Sequence, residues 1–173
     1  IAKRETENGI DSILYDGEWM KTIANTNISS ATMMGISLIY NQEITKKMNF
    51  ESISSFVNAI SSDSLPLSHI PPFSSRLQFN YSVSKNSSFS FYSIYSAWKK
   101  SEDFDVNGVD NFEEATIDGT PEWYTLNLKY SKKIINFQIS ISCENILDAH
   151  YKKFASAISS SGRNFIVNLQ SEF

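Results

Sequence analysis

The sequence predicts an all-β protein, an antiparallel up-and-down meander of about seven or eight strands. Three observations carry this. Apolar and polar residues alternate with a period of two along most of the chain, and helical spacing is nearly absent. Short polar connections alternate strictly with long ones that hold the prolines, glycines and acidic residues. The last stretch, GRNFIVNLQSEF, still alternates, with Phe165, Val167, Leu169, Ser171 and Phe173 on one parity and Asn164, Asn168, Gln170 and Glu172 on the other. Chain ends usually fray; this one reads as sheet.

One or two strands are expected within 10–27. MGISLIY sets Met34, Ile36, Leu38 and Tyr40 against Gly35, Ser37 and Ile39. MNFESISSFVNAI (48–60) and FSFYSIYSAW (89–98) are rich in strand formers, but their alternation is blurred. RLQFNYSVS sets Leu77, Phe79, Tyr81 and Val83 against Gln78, Asn80, Ser82 and Ser84. WYTLNLKYS sets Tyr124, Leu126, Leu128 and Tyr130 against Thr125, Asn127 and Lys129. IINFQISISCE sets Ile135, Phe137, Ile139, Ile141 and Cys143 against Asn136, Gln138, Ser140, Ser142 and Glu144. Tight turns are expected at EITKK around Thr45, SKNSS around Asn86 and SKK around Lys132. Long loops are expected over 61–75, 101–122 and 148–163. In a meander, alternate connections share an end, so one end has tight turns and the other long loops.

Composition bounds the function. The 173 residues are enough for one ordinary domain. No apolar run reaches the roughly 20 residues of a spanning helix. With a net charge of −4 and no basic stripe, nucleic acid is not an expected partner. The single cysteine, Cys143, permits no internal disulfide and reads as a small lipid-facing or packed hydrophobe. The chain opens on Ile rather than Met, so residues 1–173 are expected to be one piece of a longer protein. No Gly-rich phosphate loop, G-x-S-x-G, H-E-x-x-H or CxxC is present, and two histidines do not assemble a triad. No enzymatic activity, cofactor or metal site is expected.

Alternation is shared by soluble sandwiches and membrane barrels. Two features favour the barrel. The polar parity is mostly Asn, Gln, Ser and Thr, whereas a water-facing sheet usually carries more Lys and Glu against edge pairing. The turn asymmetry and strand lengths fit an outer-membrane barrel, with Tyr40, Tyr81, Tyr92, Tyr124, Tyr130, Phe165 and Phe173 as interfacial aromatics. The alternatives are a soluble or surface-exposed all-β binding or adhesive module, whose apolar parity a second sheet must cover, and a small complete membrane barrel.

Several stretches then resemble, in order, the C-terminal part of the β-barrel of TonB-dependent outer-membrane receptors. Residues 25–40 are similar to an N…A…G-x-E strand through Asn25 or Asn27, Ala31 and Gly35, with Ser37 where the family has Glu. Pro66, Pro71, Pro72 and Arg76 resemble a proline-rich lead into a strand, and WYTLNLKYS resembles an L-N-L strand. Glu144, Asn145, Leu147, Asp148 and Tyr151, with Ile146 at the hydrophobic slot, are similar to an E-N-L-x-D-x-x-Y signature. Gly162, Arg163, Phe165 and Phe173 resemble the closing strand.

The resemblance implies the C-terminal segment of a transmembrane barrel in the Gram-negative outer membrane. It implies an active-transport receptor for a scarce nutrient such as a ferric siderophore, haem or cobalamin. Its implied partners are outer-membrane lipid, an N-terminal plug and further strands of the same protein, TonB through an N-terminal segment, the barrel-assembly machinery through the last strand, and a small nutrient. The E-N-L-x-D-x-x-Y residues read as loop geometry, with Asn145 and Asp148 turning the chain and Tyr151 at the interface. His69, Asp110 and Arg163 are the loop candidates for ligand contact; a plain loop histidine, a solvated acidic loop over 102–118 and a polar anchor are the plainer readings.

Overall fold

The computed structural model describes residues 2–3, 12–21, 24–25, 30–105, 110 and 114–171. Asn27, Glu113, Glu172 and Phe173 lie outside them, so the expectations placed on those residues do too. The strands are β1 (Ala2–Lys3), β2 (Ser12–Tyr15), β3 (Glu18–Lys21), β4 (Ala24–Asn25), β5 (Ala31–Thr45), β6 (Met48–Ser61), β7 (Ser74–Ser84), β8 (Ser87–Ser96), β9 (Lys99–Lys100), β10 (Gly119–Thr120), β11 (Trp123–Ile134), β12 (Phe137–Glu144) and β13 (Asn164–Ser171). One antiparallel sheet holds seven of them in the order β13-β12-β11-β8-β7-β6-β5. That is a meander in which every neighbour follows in sequence, β9 and β10 forming a separate pair inside a loop. β2 and β3 pair as a hairpin across Asp16–Gly17, both residues at positive φ (50° and 84°), which is what a tight hairpin turn requires.

Three two-residue turns, Lys46–Lys47, Lys85–Asn86 and Ile135–Asn136, close one end of the sheet. Three long connections, 62–73, 97–122 and 145–163, close the other. The third tight turn is a correction to the sequence reading. Lys132 pairs with Ser87 and Ile139, and Lys133 with Gln138, so SKK remains in the ladder. The reversal falls on Ile135, at φ 54° and 84% exposed, rather than on the more polar triplet. Register with two neighbouring strands outweighs local turn composition here.

The pairing sorts the side chains into two faces, because directly opposed residues share a face. One face carries Met34, Ile36, Leu38, Tyr40, Phe50, Phe56, Leu77, Phe79, Tyr81, Phe89, Phe91, Tyr95, Tyr124, Leu126, Leu128, Tyr130, Phe137, Ile139, Ile141, Cys143, Phe165, Val167 and Leu169. Nothing among the described residues covers it: Ile36 is 68% exposed, Val167 70% and Phe165 74%. Aromatics gather near its two margins. At the tight-turn side, ring centroids lie 6.2 Å apart for Tyr40–Phe50, 4.8 Å for Phe50–Phe79 and 4.8 Å for Phe89–Tyr130. At the loop side Phe73 and Tyr95 lie 6.2 Å apart, and Tyr124 is paired with Tyr95.

The opposite face is polar and mostly uncharged: Ser37, Asn41, Asn49, Ser55, Gln78, Asn80, Ser90, Thr125, Asn127, Ser140, Ser142, Asn168 and Gln170. Tyr92 belongs here, opposite Gln78 and Asn127, and not with the interfacial aromatics as the sequence reading has it. β8 places aromatics on both parities, which is why its alternation is blurred. The cluster of buried apolar residues, Ala59, Leu67 and Ile70 with Val57 against it, lies where the 62–73 loop folds over the end of β6. Leu67 N–H donates to Ala59 O at 3.3 Å and so occupies part of the edge that β7 leaves free. Among the described residues β5 and β13 each have one partner, so the sheet they form is open on both sides.

Candidate functional site

The polar face is a connected hydrogen-bond ladder. Glu51 Oε1 accepts from Asn49 Nδ2 at 3.0 Å and Asn80 Nδ2 at 3.4 Å. Asn80 Oδ1 accepts from Gln78 Nε2 at 2.8 Å and Ser90 Oγ at 2.6 Å, and Gln78 Oε1 accepts from Arg76 Nη2 at 2.6 Å. The Arg76 guanidinium lies 4.6 Å from the centre of the Tyr92 ring, whose hydroxyl donates to Glu144 at 3.2 Å. Such a surface holds fixed donors and acceptors in a row, with charge at Glu43, Glu51, Arg76, Lys129, Lys133 and Glu144 among the strand residues of this face.

At the loop end of this face the 145–163 connection folds back over the sheet. Asn145, buried and at φ 50°, is its pin. Its side chain accepts from Ala149 N–H at 2.9 Å and donates to Ala149 O at 2.8 Å and Ser161 O at 3.2 Å. Its own N–H donates to Asn127 Oδ1 at 2.9 Å, which ties the loop to β11. Asp148, at φ 55°, accepts from Arg163 N–H at 2.7 Å, and Arg163 Nε donates to Ile146 O at 2.9 Å. A Cβ on Gly162 would stand 2.6 Å from Asp148 Oδ1, so a larger residue there would have to push the carboxylate away. Asn145, Asp148, Gly162 and Arg163 thus form one knot, while Leu147 is half exposed beside it. Tyr151 lies away from the apolar face, stacked on Trp123 with centroids 4.1 Å apart. Between loop and sheet is a cavity of about 470 Å³ lined by Tyr92, Thr125, Asn127, Glu144, Lys153, Ser159, Ser160 and Asn164, among others.

The three long connections are joined to one another. His69 N–H donates to Asp110 Oδ1 at 2.6 Å, with His69 Nδ1 3.7 Å from the same oxygen. Ser68 Oγ donates to Asp105 Oδ2 at 2.8 Å. Lys152 Nζ lies 3.3 Å from Glu114 Oε2. Phe104 and Phe154 meet edge to face at 5.4 Å, and Lys99 Nζ lies 5.4 Å from the centre of the Phe154 ring. Lys99 is buried, and that burial lowers its pKa from the ordinary lysine value, against the opposing pull of Asp103 and Asp110.

His69 and Asp110, separate in the sequence reading, are therefore brought together. The imidazole is largely exposed, but the Asp110 side chain is fully buried, so Asp110 is no part of a solvated acidic surface. Arg163 stands apart from both, in the knot. Cys143 is on the apolar face. Among the described residues no group of three His, Cys, Asp or Glu side chains could hold a metal ion. The sequence reading named Arg76 only as part of a lead into a strand and Tyr92 only as an interfacial aromatic, and did not single out Trp123 or Lys99. The face that Tyr92 takes follows from the register with Gln78 and Asn127, which the sequence does not contain.

No family model matches this sequence, and no curated protein matches it either. Among solved structures, the copper transporter OprC matches with a TM-score of 0.74 at 19% identity. The match covers 86% of this chain and 24% of that one. At that identity the likeness is one of fold: the seven-stranded meander has the fold of about a quarter of a copper transporter's chain.

Proposed function

We propose that this chain is a section, residues 1–173, of the barrel wall of an outer-membrane transport receptor that imports a scarce nutrient with TonB-supplied energy. A ferric siderophore, haem or cobalamin is the expected class of cargo. One observation carries the reading: seven consecutive strands present an uncovered apolar face with aromatics at its margins, opposite a neutral hydrogen-bonding face over which the long loops fold. In water such an apolar face costs about 25 cal/mol for each Å² left wet. In a bilayer it is the wall, and the polar face lines a lumen. The fold of a known transporter supports the same reading. On it, a plug from the same protein and TonB belong to the whole receptor, the barrel-assembly machinery acts on its last strand, and ligand affinity that differs between plug states drives uptake. The competing reading, a soluble binding module, needs a second layer over the apolar face, and the described residues supply none.

The test is topology in the native host. A single cysteine at Ile117, 88% exposed at the loop end, or at Asn86, in a tight turn, is placed in a Cys143→Ser background. A membrane-impermeant thiol reagent added to intact cells is expected to label position 117 and spare position 86. Labelling of both positions would sink the receptor reading in favour of a surface module.

A further inference from the structure

The tight-turn rim carries charge opposite to that of the loop end. Lys46 and Lys47 form the first turn, Lys85 opens the second, and Lys132 and Lys133 lie just before the third. Backbone bonds bring the three sites to one level: Ser82 N–H donates to Lys47 O at 2.7 Å and Lys133 N–H to Asn86 O at 2.8 Å. All five lysines are exposed. Among the described residues no carboxylate pairs with Lys46, Lys47, Lys85 or Lys132. The carboxylates on this half of the strands, Glu43 and Glu51, belong to the polar face.

The rim also adjoins the apolar face. Tyr81, Phe89 and Tyr130 form one row across β7, β8 and β11, and Met48, next to Lys47, is paired with Tyr81. Lys132 is on the apolar face itself, two residues beyond Tyr130. The lysine backbones therefore stand about 3–13 Å beyond the aromatic row along the strands. That is where headgroups meet water in a bilayer whose boundary the aromatics mark, and lysine stems reach it by lying along apolar surface.

We propose that Lys46, Lys47, Lys85 and Lys132 form a binding site for anionic phospholipid in the leaflet at the tight-turn end. A ligand that meets both surfaces is an amphiphile, with acyl chains on the apolar wall and its phosphodiester at the lysines; an acidic soluble protein would satisfy the lysines alone. The proposal rests on the membrane reading above.

The test uses the full-length protein in phosphatidylcholine vesicles with and without phosphatidylglycerol. Flotation reports insertion, and native mass spectrometry after mild detergent extraction counts retained lipids. The wild type is expected to retain phosphatidylglycerol about tenfold over phosphatidylcholine, and high salt should weaken the preference. Changing all four lysines to Gln should abolish it, and changing all four to Arg should preserve it. Insertion without preference, or a preference undiminished in the Gln variant, would overturn this proposal alone. Failure to float with either vesicle would overturn the membrane reading and the proposal with it.

Discussion

Asn145→Ala tests whether one buried amide holds the loop over the polar face. The side chain makes three hydrogen bonds, to Ala149 N–H, Ala149 O and Ser161 O. Ser161 is exposed and its carbonyl can turn to water, whereas Ala149 is only part exposed. Leaving its N–H without an acceptor costs about 1–2 kcal/mol. The backbone adds a second contribution. Asn145 sits at φ 50°, a conformation that asparagine tolerates and that costs alanine about 1 kcal/mol. The loop should open more easily by about 2–3 kcal/mol. In native-state trypsinolysis of the full-length protein in detergent, cleavage after Lys152 and Lys153 should accelerate about thirty- to hundredfold, since 1.4 kcal/mol is a factor of ten. Asn145→Gly removes the bonds but not the backbone tolerance, so it should be cut about fivefold more slowly than the alanine variant. Cleavage of Asn145→Ala within twofold of wild type would refute the reasoning.

Three further outcomes follow from the same contacts. Gly162→Ala puts a methyl 2.6 Å from Asp148 Oδ1 and should break its bond to Arg163 N–H, costing the knot about 1–2 kcal/mol by the same proteolysis; unchanged cleavage would show that the carboxylate has room to move. Val167→Lys places a charge on the apolar face and should disfavour folding into vesicles by about 2–4 kcal/mol, while Asn168→Lys, on the polar face, should stay near wild type; equal penalties would mean that the two faces are not solvated differently. Asp110→Asn removes one of two carboxylates that raise the Lys99 pKa against burial, so Lys99 should titrate lower still, followed by NMR of methylated lysines; an unchanged titration would mean that the buried aspartate does not act on Lys99.

The sequence by itself determined the strands, their order and the division of their side chains into an apolar and a polar parity. A pleated strand places successive side chains on opposite sides, so IINFQISISCE and WYTLNLKYS carry their own sidedness without reference to any neighbour. Strictly alternating connection lengths likewise dictate a meander with unlike ends. The tertiary structure decided what depends on register and on contacts distant in the chain. Lys132 and Lys133 remain in the ladder because β8 and β12 flank them, although SKK is as polar as a turn. Tyr92 joins the polar face because its level on β8 is set by Gln78 and Asn127 on the neighbouring strands. His69 meets Asp110 across 41 residues because adjacent long connections leave the sheet at the same end, and Asn145 reaches Ser161 across 16 because one connection folds back on itself. Local pattern is a property of each strand's own pleat; pairing level and loop contacts are properties of neighbours, and a single strand's sequence holds no record of them.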